Sequence, residues 1–280
     1  MAPGTNPAGS DGPVGSGEQR GSREMDVAVI SGATFQHRAV TYYDIDGVAI
    51  VEGDIALGPV DKVRDTTERT REALAGGVAF AVGVVGAQFR WPNCEVPYEV
   101  DPGLPGQERI EEAIEHWETS TPFRFPRRTS ANAELYQNYV LFTDAGGCWS
   151  RVGMTGGEQT ISLGPGCSTG NAIHEIGHAV GLWHEQSRED RDLFVTINWA
   201  NIQNGMAAQF NQHITDGDDF GPYDYASIMH YPRNAFSKNG QDTITPVQPN
   251  AQIGQRNGLS GGDVAGVLEM YAGQLAISRR

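Results

Sequence analysis

The sequence predicts an α+β fold, with a small extended unit over residues 25–80 and a larger mixed domain over residues 81–280. Three observations predict it. Short β-branched runs broken by Gly and Asp fill residues 25–57. Two later segments, 106–119 and 170–182, carry helical signals. Short apolar stretches of strand length lie before and between them, after a change of character near Val78.

Residues 1–24 are rich in turn formers, lack apolar periodicity and are expected to be a disordered tail. Val27, Val29, Ile30, Val40, Ile45, Val48, Ile50, Val51 and Ile55 mark the strand-like runs of the small unit. Residues 60–75 read as a charged helix carrying Val63 and Leu74, ended by Gly76-Gly77. Phe89 to Val100 is spaced like a strand through Trp91, Val96, Tyr98 and Val100. Over 106–119, Ile110, Ala113, Ile114 and Trp117 follow i, i+3, i+4, i+7 and predict an amphipathic helix. Tyr139 to Phe142 and Gln159 to Leu163 are short strands, and Gly181 is the natural stop of the helix over 170–182. The remainder to Tyr271 is loop-rich, with a last helix near 260–271 and no internal repeat.

The chain carries 20 Lys and Arg against 35 Asp and Glu. That balance argues against nucleic acid as a partner, because phosphate binding needs clustered cations. No segment reaches the ~18–20 apolar residues that span a bilayer. Met1 to Gly21 lacks the apolar core of a secretory signal. The three cysteines, Cys94, Cys148 and Cys167, leave at least one thiol without a partner in the chain.

The decisive stretch is His174-Glu175-Ile176-Gly177-His178-Ala179-Val180-Gly181-Leu182-Trp183-His184. Two histidines four apart share one helix face, so both imidazoles reach one ion. Zinc accepts neutral imidazole nitrogen. A third ligand requires the chain to turn, and Gly181 permits the turn that brings His184 to the metal. Three protein ligands leave a fourth position open, the mark of a catalytic site. Glu175 would sit over the zinc-bound water and take its proton as general base. A bare H-E-x-x-H arises by chance, but the eleven-residue pattern with its Gly and third His is the metzincin signature.

Beyond His184 the chain resembles the astacin family of metzincins. The resemblance rests on His184-Glu185-Gln186-Ser187-Arg188-Glu189-Asp190-Arg191, fitting H-E-x-x-R-x-D-R, and on Tyr225-Ala226-Ser227-Ile228-Met229-His230-Tyr231. It also covers Gly147-Cys148-Trp149-Ser150 and Ala235-Phe236-Ser237, and runs from about Trp91 to Tyr271. It implies a zinc endopeptidase with a twisted mixed sheet, two main helices and a cleft between upper and lower subdomains. Met229 resembles the methionine beneath the metal. Tyr231 resembles the catalytic tyrosine that binds zinc at rest and swings away to stabilise the oxyanion. Glu185 resembles the buried glutamate that meets the mature N-terminus; taken alone it reads as a solvated acid. His230 reads as a neighbour in the pattern and not as a ligand, and His37, His116 and His213 belong to no constellation. Cys148 and Cys167 match the family's short disulfide, whereas Cys94 has no counterpart. Cys148 to Arg151 resembles the edge strand that pairs with substrate backbone.

Val51-Glu52-Gly53-Asp54 resembles the family's prosegment motif F-x-G-D, with Val for Phe. The resemblance implies a zymogen in which Asp54 binds the zinc and blocks the water, cut between Gly76 and Gln88. The plain alternative is an ordinary turn. The expectation is therefore a tail over 1–24, a prosegment over 25–80 and a catalytic domain over 81–280. The protein would be a secreted, monomeric endopeptidase acting on protein or peptide substrates. A binding module that has lost activity, and a zinc hydrolase for other amides or esters, are the competing classes. Arg233 either offers a cation to an acidic substrate side chain or is solvated.

Overall fold

The computed structural model describes residues 25–30, 38–75, 89–212 and 219–277. The tail over 1–24, the expected processing segment at 76–88, His37 and His213 lie outside these residues.

The small unit is a four-stranded antiparallel meander. Its strands β1 (Met25–Ile30), β2 (Arg38–Ile45), β3 (Val48–Val51) and β4 (Ile55–Pro59) pair in chain order. Asp46 and Gly47, both left-handed at φ 50° and 85°, make the two-residue turn between β2 and β3, a pairing suited to the twist of a hairpin. Glu52, Gly53 and Asp54 form the next turn, with Val51 facing Ile55. Helix α1 (Val60–Ala75) follows at once and packs against β1, β3 and β4. Thr67 Oγ1 accepts the Val29 N–H at 3.0 Å.

The larger domain is built on a mixed sheet. Strands β5 (Tyr98–Val100), β6 (Tyr139–Thr143), β7 (Cys148–Trp149) and β8 (Glu158–Leu163) lie in the order β5-β6-β8-β7. The first three are parallel, and β7 is an antiparallel edge. Helices α2 (Glu108–Ser120) and α3 (Thr169–Val180) pack against one another. The periodic face of α2 is buried as expected, and Trp117 donates its indole N–H to Ile173 O at 3.0 Å. The expected strand from Phe89 shrinks to Tyr98–Val100. Pro92 opens a 3-10 turn there, Asn93 and Cys94 are left-handed, and Pro92 and Pro97 have no N–H for a ladder.

After α3 the chain is loop-rich, as expected, but two three-residue strands pair antiparallel within it: β9 (Val195–Ile197) and β10 (Ile244–Pro246). They close a second core of Phe210, Tyr231, Tyr223 and their neighbours. Helices α4 (Gly261–Met270) and α5 (Ala272–Ile277) complete the described chain. A disulfide joins Cys148 to Cys167, and Cys94 is a buried free thiol. No helix among the described residues is long and apolar enough to cross a membrane.

Candidate metal centre

Helix α3 carries His174, Glu175 and His178. Its start is fixed by a capping box in which Ser168 and Asn171 satisfy each other's end groups. Its end is Gly181 at φ 115°, which turns the chain toward His184. A side chain at Gly177 would press its Cβ to 2.7 Å from the Met229 sulfur. Met229 thus packs directly under the helix turn that bears the two histidines, the place expected for it.

The three imidazoles meet, and each is oriented from behind. His174 Nδ1 lies 2.9 Å from Ile228 O, and His178 Nδ1 lies 2.8 Å from Leu182 O. His184 Nδ1 lies 2.8 Å from Glu52 Oε2. Carbonyls and carboxylates only accept, so each Nδ1 carries a hydrogen and Nε2 is the nitrogen left to face the centre. The three Nε2 atoms converge on Asp54. His174 Nε2 is 3.3 Å from Asp54 Oδ2, while His178 Nε2 and His184 Nε2 are 3.7 and 3.2 Å from Oδ1. All four side chains are fully buried or nearly so, and their donor atoms lie within 4.8 Å of one another.

This donor set fits a zinc ion. Asp54 Oδ1, His178 Nε2 and His184 Nε2 are buried without a hydrogen-bond partner. Polar atoms so placed are costly unless something else binds them. A tetrahedral centre with arms of about 2.0–2.1 Å has edges of about 3.3–3.4 Å, the scale of the observed separations. Burial holds His174 and His178 below the usual imidazole range. Burial opposes charge on His184 too, but the Asp54 and Glu52 carboxylates outweigh it and push that group up to about 9. Burial likewise opposes charge on Asp54, but the three imidazoles outweigh it and hold the carboxyl well below the usual carboxylate range.

Around the centre, the other expected residues fall as follows. Glu175 is fully buried, one position along α3 from His174. Tyr231 is buried with its ring 4.6 Å from that of His184, and its hydroxyl donates to the Glu52 carbonyl. Glu185 is mostly buried and accepts the Asp224 N–H at 2.7 Å; burial pushes its carboxyl up to about 8. His230 takes no part in the cluster: its ring bonds Tyr223 Oη at 2.7 Å and Tyr231 O at 2.8 Å. His116 accepts the Leu259 N–H at 2.9 Å. Arg233 is engaged by Asp242 at 3.0 Å and by the Ala251 carbonyl.

Sequence reasoning missed the residues that set this frame. Asp263 accepts from Ser227 Oγ at 2.6 Å and from Ile228 N at 2.9 Å, fixing the loop whose carbonyl orients His174. Gln186 Oε1 accepts the Tyr231 N–H at 2.9 Å. Asp263 had a local signal, a Ser-x-x-Asp capping box opening α4, but nothing in that signal points to the histidines. Glu52 had none beyond its turn.

The small unit reaches the centre along the sheet edge. Ser150 N donates to Asp54 O at 2.9 Å, and Ala56 N donates to Ser150 O at 2.8 Å. Ile55 thereby pairs with Ser150 in parallel, extending the sheet beyond β7.

Comparison with known proteins agrees with this geometry. The sequence model of the peptidase family described as Astacin matches residues 84–272. The chain is 41% identical to zinc metalloproteinase nas-13 of Caenorhabditis elegans over 188 residues, covering 65% of this chain and 41% of that protein. It is 39% identical to zinc metalloproteinase nas-4 of the same organism over 229 residues, covering 79% and 68%. High choriolytic enzyme 1, a hatching enzyme zinc-protease from Oryzias latipes, superposes with a TM-score of 0.59 at 40% identity, covering 65% of this chain and 92% of that one. The chain spans about two fifths of the length of nas-13. The histidine cluster offers the donor set that zinc takes.

Proposed function

We propose, from the premise that this chain belongs to the astacin family, that it is a zinc-dependent endopeptidase held latent by its own N-terminal unit. One observation carries the reading: three buried imidazoles aim their Nε2 atoms at one point, with Glu175 on the helix that carries two of them.

His174, His178 and His184 would hold zinc, which would supply Lewis acidity toward a substrate carbonyl and toward water. Glu175 takes the proton of the attacking water and returns it to the leaving amine. Tyr231, once clear of Glu52, gives its hydroxyl to the oxygen on which charge develops. The Cys148–Arg151 edge pairs with substrate backbone by strand addition.

Residues 25–80 are the prosegment and residues 81–280 the catalytic domain. Support comes from Asp54, whose carboxylate faces all three imidazoles, and from the Asp54–Ala56 backbone, which takes up the edge a substrate would use. The Cys148–Cys167 disulfide supports an extracellular site of action. Every ligand comes from one chain, so a monomer suffices. A fold that binds without cutting is the other reading, and an intact Glu175 speaks against it.

Glu175→Gln keeps the size of the side chain and removes the base. Peptide hydrolysis by the processed protein is expected to fall by about 10²–10⁴ or more, with zinc content unchanged. Undiminished casein digestion by this variant would overturn the mechanism.

A further inference from the structure

Each imidazole of the cluster has an inner nitrogen, facing the centre, and an outer one. The outer nitrogens of His174 and His178 rest on the carbonyls of Ile228 and Leu182, both within the larger domain. They keep those partners whatever becomes of the N-terminal unit. His184 is different. Its outer nitrogen bonds Glu52, which lies in the turn between β3 and β4.

Glu52 is placed for this contact. It sits in the left-handed region at φ 49°, an uncommon state for a residue with a side chain. It is 4% exposed, and a carboxylate so buried is costly unless its oxygens are bonded. One oxygen takes the His184 Nδ1–H at 2.8 Å; the other accepts from Ser187 Oγ at 3.1 Å. Its own carbonyl accepts the Tyr231 hydroxyl. Presenting Asp54 to the centre requires none of these bonds. A carboxylate behind a ligating imidazole fixes its tautomer and ring angle and strengthens it as a ligand.

We propose that Glu52 is a positioning residue for zinc. In the full-length chain it locks His184 into its ligating orientation, and the chain retains the ion more firmly for that contact. The contact is lost when the N-terminal unit departs, so the ion is held best before processing. This rests on the reading of the cluster as a zinc site.

The test follows zinc leaving the full-length chain into an excess of chromogenic chelator. Glu52→Gln keeps the shape of the turn and removes the charge; it should release zinc about tenfold faster than wild type. Glu52→Ala should release it at least as fast. Ser187→Ala removes the other side-chain bond to Glu52 and leaves His184 its partner; it should release zinc at the wild-type rate, which a merely structural role for the turn would not allow. If Glu52→Ala does not fold, Glu52→Gln carries the test. Wild type and Glu52→Gln both binding stoichiometric zinc and releasing it at one rate would overturn the proposal. Failure of the wild-type chain to bind zinc, or equal binding by His178→Ala, would instead overturn the zinc reading beneath it.

Discussion

The two regions of this molecule depend on each other unequally. Among the described residues, the larger domain closes its cores with its own side chains. Its main core runs from Trp91 to Tyr271, and its second gathers Val195, Phe210, Tyr231 and Ile244. Neither draws a residue from the N-terminal unit. The N-terminal sheet has two faces, and both are finished by the larger domain. Tyr42, Val51 and Ile55 pack with Val152 and Trp183, while Tyr43, Ile50 and Ala56 pack with Trp149 and Met206. A short sheet with one helix buries little apolar surface alone. The difference teaches that the dependence runs one way, the arrangement expected of a segment that is built on a domain and later removed from it.

The largest effect should come from separating the regions. Residues 89–280 expressed alone are expected to fold cooperatively, with near-ultraviolet circular dichroism and a sharp melt. Residues 25–75 alone are expected to show no stable sheet. A folded N-terminal fragment, or an unfolded larger one, would break the comparison outright.

Next in size is the contact between the regions at the metal centre. Asp54→Ala removes the carboxylate and leaves the Ser150 backbone pairs and both apolar faces in place. Hydrogen bonds to a charged group are worth about 1.5–3 kcal/mol. Activity of the uncut chain should therefore rise about tenfold or more, measured on a chain that cannot be processed. Unchanged latency would mean that the backbone pairing and the apolar faces alone hold the site shut.

These two regions were also unequally legible. The three clustered histidines of the larger domain lie in one eleven-residue stretch, so a helix turn and one glycine explain their meeting. The helix over α2 was readable for the same reason: Ile110, Ala113, Ile114 and Trp117 repeat with the helical period. The strands β9 and β10 were not, because three residues are too few for a period to register. Phe89–Pro97 misled because apolar spacing suggested a ladder that two prolines and two left-handed residues forbid. In the N-terminal unit the element types could be read, yet its function lies in long-range contacts. Glu52 meets His184 across 132 positions, and no local pattern encodes that.

The smallest effect tests whether the larger domain's interior is as independent as its cores suggest. His230 is buried, and burial holds it down at about 4. Its ring faces the Tyr223 hydroxyl and the Tyr231 carbonyl, with Arg256, His184 and Asp224 also acting on it. Its pKa in the folded protein is lower than in the unfolded chain, so the unfolded chain binds the extra proton. Stability from this group is then present above an unfolded value of about 6.5 and is lost as pH falls toward 4. At pH 6 the loss is less than about 1 kcal/mol, and it grows with further acid. His230→Gln should flatten that part of a urea-unfolding series between pH 7 and 4.5. No group of the N-terminal unit touches this ring among the described contacts, so the flattening should appear in residues 89–280 as well as in the full chain. A larger effect in the full chain would show that the N-terminal unit reaches further into the domain than its apolar contacts indicate.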